Sequence, residues 1–403
     1  MGMIRIALLG STGSIGQSTL EGVERHPDRF DVRVLAANRS AATLGEQALR
    51  LRPERVVLVD GDAVPAGGAG SGFGEGVAKG EVPWRFGRDE LLDAARAPDV
   101  DVVVNALVGF AGLEPTLEAL RAGKRVALAN KESLVAGGPL VLAAAAEGGG
   151  QLVPVDSEHS AILQCLEGCP PSSIQRLVIT ASGGPFRGWS REDLAGAGPA
   201  DALKHPTWEM GAKITVDSAT LANKALEVIE AHFLYDIPYD AIDVVVHPQS
   251  VVHSFVEFVD GSVIAQMGFP TMELPILYAL SYPERVDDRA LRTFDPVRSS
   301  PLTFEEVDRV AFPLFELGLE AGRAGGTSPA VYNAANEVAV AAFLEGRTSF
   351  PGMADAVRAA LDSVPGGPLE GPGDVREADR RARAAAEAAL GATTSNAGGG
   401  TAG

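Results

Sequence analysis

Asp156 and Glu158 stand two positions apart at the end of the apolar run Leu152-Val153-Pro154-Val155, with Ser157 between them and His159 after them. On an extended backbone, positions i and i+2 point to the same face. The two carboxylates then converge on one point. Converging carboxylates suit a hard divalent cation such as Mg2+ or Mn2+, which keeps coordination places for substrate oxygens. The plainer reading is a strand end with polar residues. A third carboxylate, Glu227, falls on a predicted helix from about Ala219 to Phe233, at i+4 from Asn223 and i+3 from Lys224. All three can share one helix face. They form either a surface ion pair or, placed opposite Asp156 and Glu158, the third arm of a metal site with an anion-binding amide and ammonium beside it. Five of the six histidines lie between His159 and His253, which draws attention to the same stretch.

A second chemistry lies at the N-terminus. The strand-like run Met3–Leu9 ends in Gly10, Gly13 and Gly16, and a helical pattern follows to about Arg25. Strand, glycine-rich turn and helix make a phosphate cradle at a helix N-terminus. After the next strand, Val32–Ala37, an NAD site would carry an acidic residue for the ribose; here the residues are Asn38-Arg39-Ser40. An arginine there suits a 2′-phosphate, and so NADPH. Strands at Arg55–Asp60, Asp101–Asn105 and Val126–Asn130 continue the alternation. The last two lead into the glycine-containing loop Ala106–Gly112 and into Lys131-Glu132-Ser133. The carboxyl ends of parallel strands are where open α/β sheets hold ligands.

Elements must position these groups. Pro65–Gly80 reads as a glycine-rich loop. Gly183 to about Pro206 is rich in Gly, Ala and Pro, has little apolar periodicity, and leads to His205 and Trp208. It reads as a lid over residues 183–210. Strands follow at Val178–Thr180, Asp243–His247, Val251–Phe258 and Ser262–Met267. A proline-containing stretch to about Thr303 reads as a linker, and Phe304 to about Leu390 as a helical bundle. The fold class is therefore α/β, with a Rossmann-like NADPH domain (1–153), a central α+β catalytic domain (154–288), a linker (289–303), a C-terminal helical bundle (304–390) and a disordered tail (391–403).

The bulk composition agrees. The 403 residues allow two or three domains at roughly 100–200 residues each. A formal net charge of −19 argues against nucleic acid, which needs a basic footprint. The two cysteines, Cys165 and Cys169, are too few for a disulfide framework and point to reduced thiols in a cytoplasmic protein. No apolar run reaches the roughly 20 residues of a membrane helix, and no signal peptide is read at the start.

Taken in order, the segments Gly10–Gly16, Ala129–Val135, Pro154–His159, Ser182–Phe186, His205–Trp208, Val216–Thr220, Asn223-Lys224, Glu227, His247–Ser250 and Asn333–Glu337 closely resemble the 1-deoxy-D-xylulose 5-phosphate reductoisomerases of the non-mevalonate isoprenoid pathway. The resemblance covers nearly the whole chain. It implies a homodimer that takes a phosphorylated sugar, NADPH and a divalent cation (Mn2+, Mg2+ or Co2+). The metal ligands it implies are Asp156, Glu158 and Glu227. Substrate contacts would be Ser157, Ser182, His205, Trp208, Met210, Ser218, Asn223, Lys224 and Glu227. Cofactor contacts would be Gly10, Thr12, Gly13, Ser14, Ile15, Gly16, Ala37, Asn38, Arg39, Ala106, Asn130, Lys131, Glu132 and Gly211. Lys131, Glu158 and His205 would be catalytic. The implied reaction rearranges the pentulose phosphate to an aldehyde and reduces it to 2-C-methyl-D-erythritol 4-phosphate. Thr271 and Glu273 depart from the family pattern, which has Asp before Met272 and Arg after it, and are expected to remove a local ion pair. The rival readings are an NADPH-dependent semialdehyde or hydroxy-acid dehydrogenase and a non-enzymatic NADP-sensing protein.

Overall fold

The computed structural model describes residues 2–61, 82–208, 210–291 and 294–397. The expected loop at 65–80 lies outside these residues, and so does the tail from 398. The chain forms two compact units. The first gathers Met1–Ser133, Val141–Ser160 and Thr271–Leu291; the second gathers Leu134–Leu140, Ala161–Pro270 and Arg292–Gly403. These packing units do not follow the expected boundaries at 153, 288 and 303.

In the first unit, seven strands form a parallel sheet: β1 (Ile4–Leu9), β2 (Phe30–Ala37), β3 (Arg55–Leu58), β4 (Trp84–Phe86), β5 (Val102–Asn105), β6 (Arg125–Leu128) and β7 (Gln151–Pro154), in the order β4-β3-β2-β1-β5-β6-β7. Ile6–Leu9 and Val102–Asn105 are buried throughout, as strands covered on both faces must be. The strand order reverses between β1 and β5, so the crevice at their carboxyl ends is the ligand side. The edge strand β4 was not legible; its residues Trp84 and Phe86 stack at 6.3 Å. Helix Glu273–Ser281 belongs here because Leu277 packs against the Gly22 backbone of helix Ser14–Glu24. Its start resolves the Thr271/Glu273 departure. Thr271 Oγ1 accepts the Glu273 N–H at 3.2 Å, and the Glu273 carboxylate pairs with Arg25, which also holds Asp288 at 2.7 Å. One ion pair is replaced by another.

The second unit carries a mixed sheet of β8 (Ile174–Ala181), β9 (Ile242–Val246), β10 (Val252–Phe258), β11 (Val263–Met267) and β12 (Glu305–Glu306), ordered β11-β10-β8-β9-β12. Only β8 and β9 run parallel. Helices Pro313–Ala324, Ser328–Leu344, Phe350–Ser363 and Pro372–Ala397 pack with this sheet and with helix Ala222–Tyr235 into one apolar core. The helical layer thus begins at Pro313 rather than Phe304, because Glu305–Glu306 pair with β9. Its last helix also runs past Leu390 to Ala397. The helix expected from about Ala219 to Phe233 is Ala222–Tyr235, and a separate helix, Ala212–Ala219, precedes it, with Leu221 between them in a left-handed conformation (φ 59°).

The low apolar periodicity of 183–206 does not keep it from forming regular structure. Ser190 and Asp193 form a capping box that starts helix Arg191–Ala195, and Pro199–Ala202 is a second short helix. Phe186, Leu194, Ala197 and Ala202 enter the core of the unit. Phe186 packs at 4.9 Å against both Phe350 and Trp189. Four well-placed apolar residues hold the segment even though they follow no helical or strand period. Phe186, 1% exposed, therefore anchors the chain that leads to His205. Phe186→Ala should destabilise this unit by about 3–5 kcal/mol, read as a lower midpoint in urea. A loss below about 1 kcal/mol, the usual range for surface sites, would show that the segment is not anchored.

Candidate active site

In the first unit, the candidate cofactor and carboxylate residues lie on turns at the carboxyl ends of β1, β5, β6 and β7. Gly10 has φ 91°, and a Cβ there would meet the Ala106 carbonyl at 2.4 Å; a Cβ on Gly16 would meet the Gly10 carbonyl at 2.3 Å. Only glycine lets these backbones approach. Gly13 is different: it is exposed, and a Cβ would find Gly10 O at an ordinary 3.5 Å. Gly13 caps helix Ser14–Glu24 without a side-chain hydrogen bond, so the first helical N–H groups, those of Ser14, Ile15 and Gly16, point outward as anion donors. Thr12 lies partly buried in the same turn. Gln47 holds the turn from behind: its amide donates to Ser11 O at 2.9 Å and accepts from Ser11 Oγ at 2.7 Å. Nothing in the sequence marked Gln47, because its partner is distant and its own helix looks ordinary. At the end of β2, Ala37 is buried while Asn38 and Arg39 are exposed. The Arg39 guanidinium pairs with Asp60 at 2.7 Å, with its side chain 76% exposed.

Two buried asparagines shape the loop after β5. Asn105 Nδ2 donates to Gly112 O at 2.9 Å and to Thr116 Oγ1 at 2.7 Å. Asn130 caps helix Lys131–Gly148 by accepting the Ser133 N–H at 3.1 Å, while its Nδ2 donates to Leu107 O and Gly109 O, each at 2.9 Å, and to Glu132 Oε2 at 3.0 Å. Ala106 is thereby held beside β1, its N–H donated to Leu9 O at 2.8 Å. Asn105 was read only as a strand end; a polar residue closing an apolar strand was the available signal.

The Asp156–Glu158 corner differs from expectation. β7 ends at Pro154, and helix Ser157–Cys165 has begun at Ser157. The same-face argument from an extended backbone therefore does not apply. Asp156 caps this helix instead. Its carbonyl accepts the Ser160 N–H at 2.8 Å and its Oδ1 accepts the Glu158 N–H at 3.2 Å. The turn from strand to helix brings an oxygen of Asp156 within 4.8 Å of one of Glu158. Lys131, 8% exposed, sets its ammonium 3.0 Å from Asp156 Oδ2. Ser157 Oγ donates to Glu158 Oε2 at 2.5 Å.

The second unit carries a cluster of its own around His205. Gly184 (φ 66°) brings its turn against the Ser218 carbonyl, where a Cβ would lie at 2.8 Å. Ser182 thereby reaches His205. The ring Nε2 lies 3.0 Å from Ser182 Oγ and 3.1 Å from Ser218 Oγ. Nδ1 accepts the N–H groups of Thr207 at 3.2 Å and Trp208 at 2.9 Å. Two donors at Nδ1 place the neutral ring's proton on Nε2. Burial, and secondly the Lys224 charge, lower the His205 pKa and favour that neutral form. With Nε2–H directed at the two hydroxyls, each hydroxyl keeps its own proton for an added acceptor. The two O–H groups, oriented by the Nε2–H, suit the oxygens of a phosphate. Helix Ala222–Tyr235 carries Asn223, Lys224 and Glu227 on one face as expected, and both Asn223 Nδ2 and Lys224 Nζ contact the Glu227 carboxylate. Lys224 and Glu227 are buried, at 6% and 1% exposed. Trp208 and Met210 are partly exposed, and Gly211 is exposed as the N-cap of helix Ala212–Ala219.

Comparison with known proteins identifies a family. Residues 6–138 match the family model for 1-deoxy-D-xylulose 5-phosphate reductoisomerase, residues 152–235 the model for its C-terminal domain, and residues 267–385 a further DXP reductoisomerase C-terminal domain model. The chain is 50% identical over 383 residues to the reductoisomerase of Symbiobacterium thermophilum, covering 94% of this chain and 97% of that protein. It is 51% identical to that of Gloeobacter violaceus, over 94% and 96%. Among solved structures it resembles the Zymomonas mobilis reductoisomerase in complex with NADPH, with 42% identity, a TM-score of 0.89, and 96% of this chain and 99% of that chain covered. It also resembles a DOX-P reductoisomerase in complex with NADPH, fosmidomycin and magnesium, at 37% identity and a TM-score of 0.90 over 97% and 99% of the two chains. At these identities and over this length, the likeness is not confined to the fold: the chain belongs to the 1-deoxy-D-xylulose 5-phosphate reductoisomerase family.

Proposed function

We infer that this chain catalyses the NADPH- and divalent-metal-dependent conversion of 1-deoxy-D-xylulose 5-phosphate to 2-C-methyl-D-erythritol 4-phosphate. The observation that carries the reading is the corner where Asp156 and Glu158 converge beside Lys131. Its donor set, carboxylate oxygens without imidazole or thiolate, fits a hard cation. When bound, the cation supplies Lewis acidity at adjacent hydroxyl and ketone oxygens, and NADPH supplies a hydride.

The rest falls to the chain's own residues. Asp156, Glu158 and Glu227 are the metal ligands. Lys131 and Glu158 are the acid–base groups, each able to move a proton at a substrate oxygen. His205, Ser182 and Ser218 hold the substrate phosphate through the donors described above, assisted by Asn223, Lys224 and Ser157. Trp208 and Met210 cover the carbon chain. Since residues 183–203 are anchored, any lid is confined to about 204–211, where the chain closes on substrate and excludes water. The outward N–H groups after Gly13 take the NADPH pyrophosphate. Ala37, Asn38 and Arg39 meet its adenosine ribose, with Arg39 turning from the exposed Asp60 pair to the 2′-phosphate. Ala106, Asn130, Glu132 and Gly211 lie along the nicotinamide side. The functional divisions are 1–153 for NADPH, 154–288 for metal and substrate, and 304–390 as support.

The assembly is a homodimer. β11 is an edge strand with Val263, Ile264 and Met267 exposed, and an unpaired apolar edge invites a second copy. A cytoplasmic location is supported by Cys165 and Cys169, which are free thiols; among the described residues no helix is long and apolar enough to cross a membrane.

Glu227→Gln keeps shape and removes charge. Mn2+ affinity, read by electron paramagnetic resonance, should fall at least tenfold, and turnover should collapse while NADPH binding persists. Unaltered Mn2+ binding would remove Glu227 from the ligand set. Gly13→Ala should fold normally and raise the Michaelis constant for NADPH several-fold, whereas Gly16→Ala should lower stability itself; equal NADPH constants for Gly13→Ala and the parent would move the pyrophosphate elsewhere. Ile264→Lys should shift sedimenting mass from dimer to monomer, and a mass unchanged at every concentration would exclude this edge as the interface.

A further inference from the structure

Asp217 is 1% exposed, yet it is neither a metal ligand nor a substrate contact in the reading above. It sits in helix Ala212–Ala219 immediately before Ser218. Its Oδ2 pairs with Lys213 one turn earlier at 2.9 Å, and its Oδ1 accepts from Asn336 Nδ2 at 2.7 Å. Asn336 is fully buried in helix Ser328–Leu344, far along the chain. The amide orientation is fixed, because the opposite one would set its oxygen against a carboxylate. The Asn336 Oδ1 then meets no donor among the described residues. Tyr332, one turn earlier on the same helix, feels the Asp217 charge too, which adds to burial in raising its phenol pKa.

This arrangement is costly if its only task is stability. A buried carboxylate loses hydration, and a buried amide oxygen without a donor carries its full desolvation penalty. Apolar side chains of similar volume would serve the core as well or better. What they could not do is fix the helix in rotation and in translation. Lys213–Asp217 clasps the helix start directly after the 204–211 segment. Asn336–Asp217 ties the helix end to the helical layer. Between them they set Ser218, whose hydroxyl is 3.1 Å from His205 Nε2. A shift of about 1 Å would separate that pair, and misplacements of that size cost catalysis heavily.

We propose that Asn336 and Asp217 are positioning residues for the phosphate-binding group: without touching substrate, they hold Ser218 where it orients His205. This rests on the assignment of His205 and Ser218 to the substrate phosphate. Asn336→Ala should raise the Michaelis constant for the sugar phosphate by 5–50-fold, with smaller changes in kcat and none in the constants for NADPH or Mn2+. Asn336→Ser, which keeps a donor toward Asp217, should recover most of the affinity. The deciding measurement is the double-mutant cycle with Ser218→Ala. If Asn336 acts through Ser218, Asn336→Ala should have little further effect in the Ser218→Ala background. Multiplicative losses in the double variant overturn the proposal. So does loss of NADPH binding together with substrate affinity in both Asn336 variants, which would make Asn336 a fold residue. Ser218→Ala alone separates the two readings: an unchanged Michaelis constant there refutes the phosphate assignment, whatever Asn336 does.

Discussion

The Asp156–Glu158 corner depends on one carboxylate meeting two demands in opposite directions. Asp156 Oδ1 caps helix Ser157–Cys165, and Oδ2 receives the Lys131 ammonium at 3.0 Å. Capping fixes the carboxylate plane relative to the helix, and so relative to Glu158 in its first turn. The ion pair fixes it relative to helix Lys131–Gly148, whose own cap, Asn130, holds the loop after β5. Thus one network joins the Asp156–Glu158 corner to the loop after β5. Each link is a directional polar contact among largely buried groups, where geometry is kept because losing a partner is expensive.

That construction explains what could be read from the sequence and what could not. The parallel sheet was legible because buried strands such as Ile6–Leu9 and Val102–Val104 are continuous apolar runs. The helix bearing Asn223, Lys224 and Glu227 was legible from its period. The convergence of Asp156 and Glu158 was anticipated, but for the wrong geometric reason: a strand period was extended across a residue that in fact caps a helix. Aspartate before a Ser-Glu pair is itself a helix-start signal, and it was overridden by the apolar run ahead of it. The 183–203 segment was misread because tertiary burial of Phe186 and Leu194, not local period, makes it ordered. β4 is short, edge-lying and rich in bulky aromatics, and so carries almost no periodic signal. Asp217 and Asn336 were quoted within motifs without roles, since only the fold brings positions so distant in sequence to 2.7 Å.

The two units solve the problem of buried charge differently. In the first, the Lys131–Asp156 pair is structural as well as chemical. In the second, Lys224 and Glu227 are nearly inaccessible and meet on a single turn of helix. Such a pair contributes little net stability, because the desolvation of two ions offsets most of their attraction. On the proposed function both charges change partners when ligands arrive, Glu227 going to a cation and Lys224 to an anion. The ion pair then prepays desolvation during folding: the groups are already dry and oriented, and binding replaces one neutral arrangement by another. A lone Glu227 or a lone Lys224 in the same place would carry an uncompensated buried charge in the free protein. On the proposed function, that necessity, more than any gain in stability, explains why the cation-binding and anion-binding groups share one turn of helix.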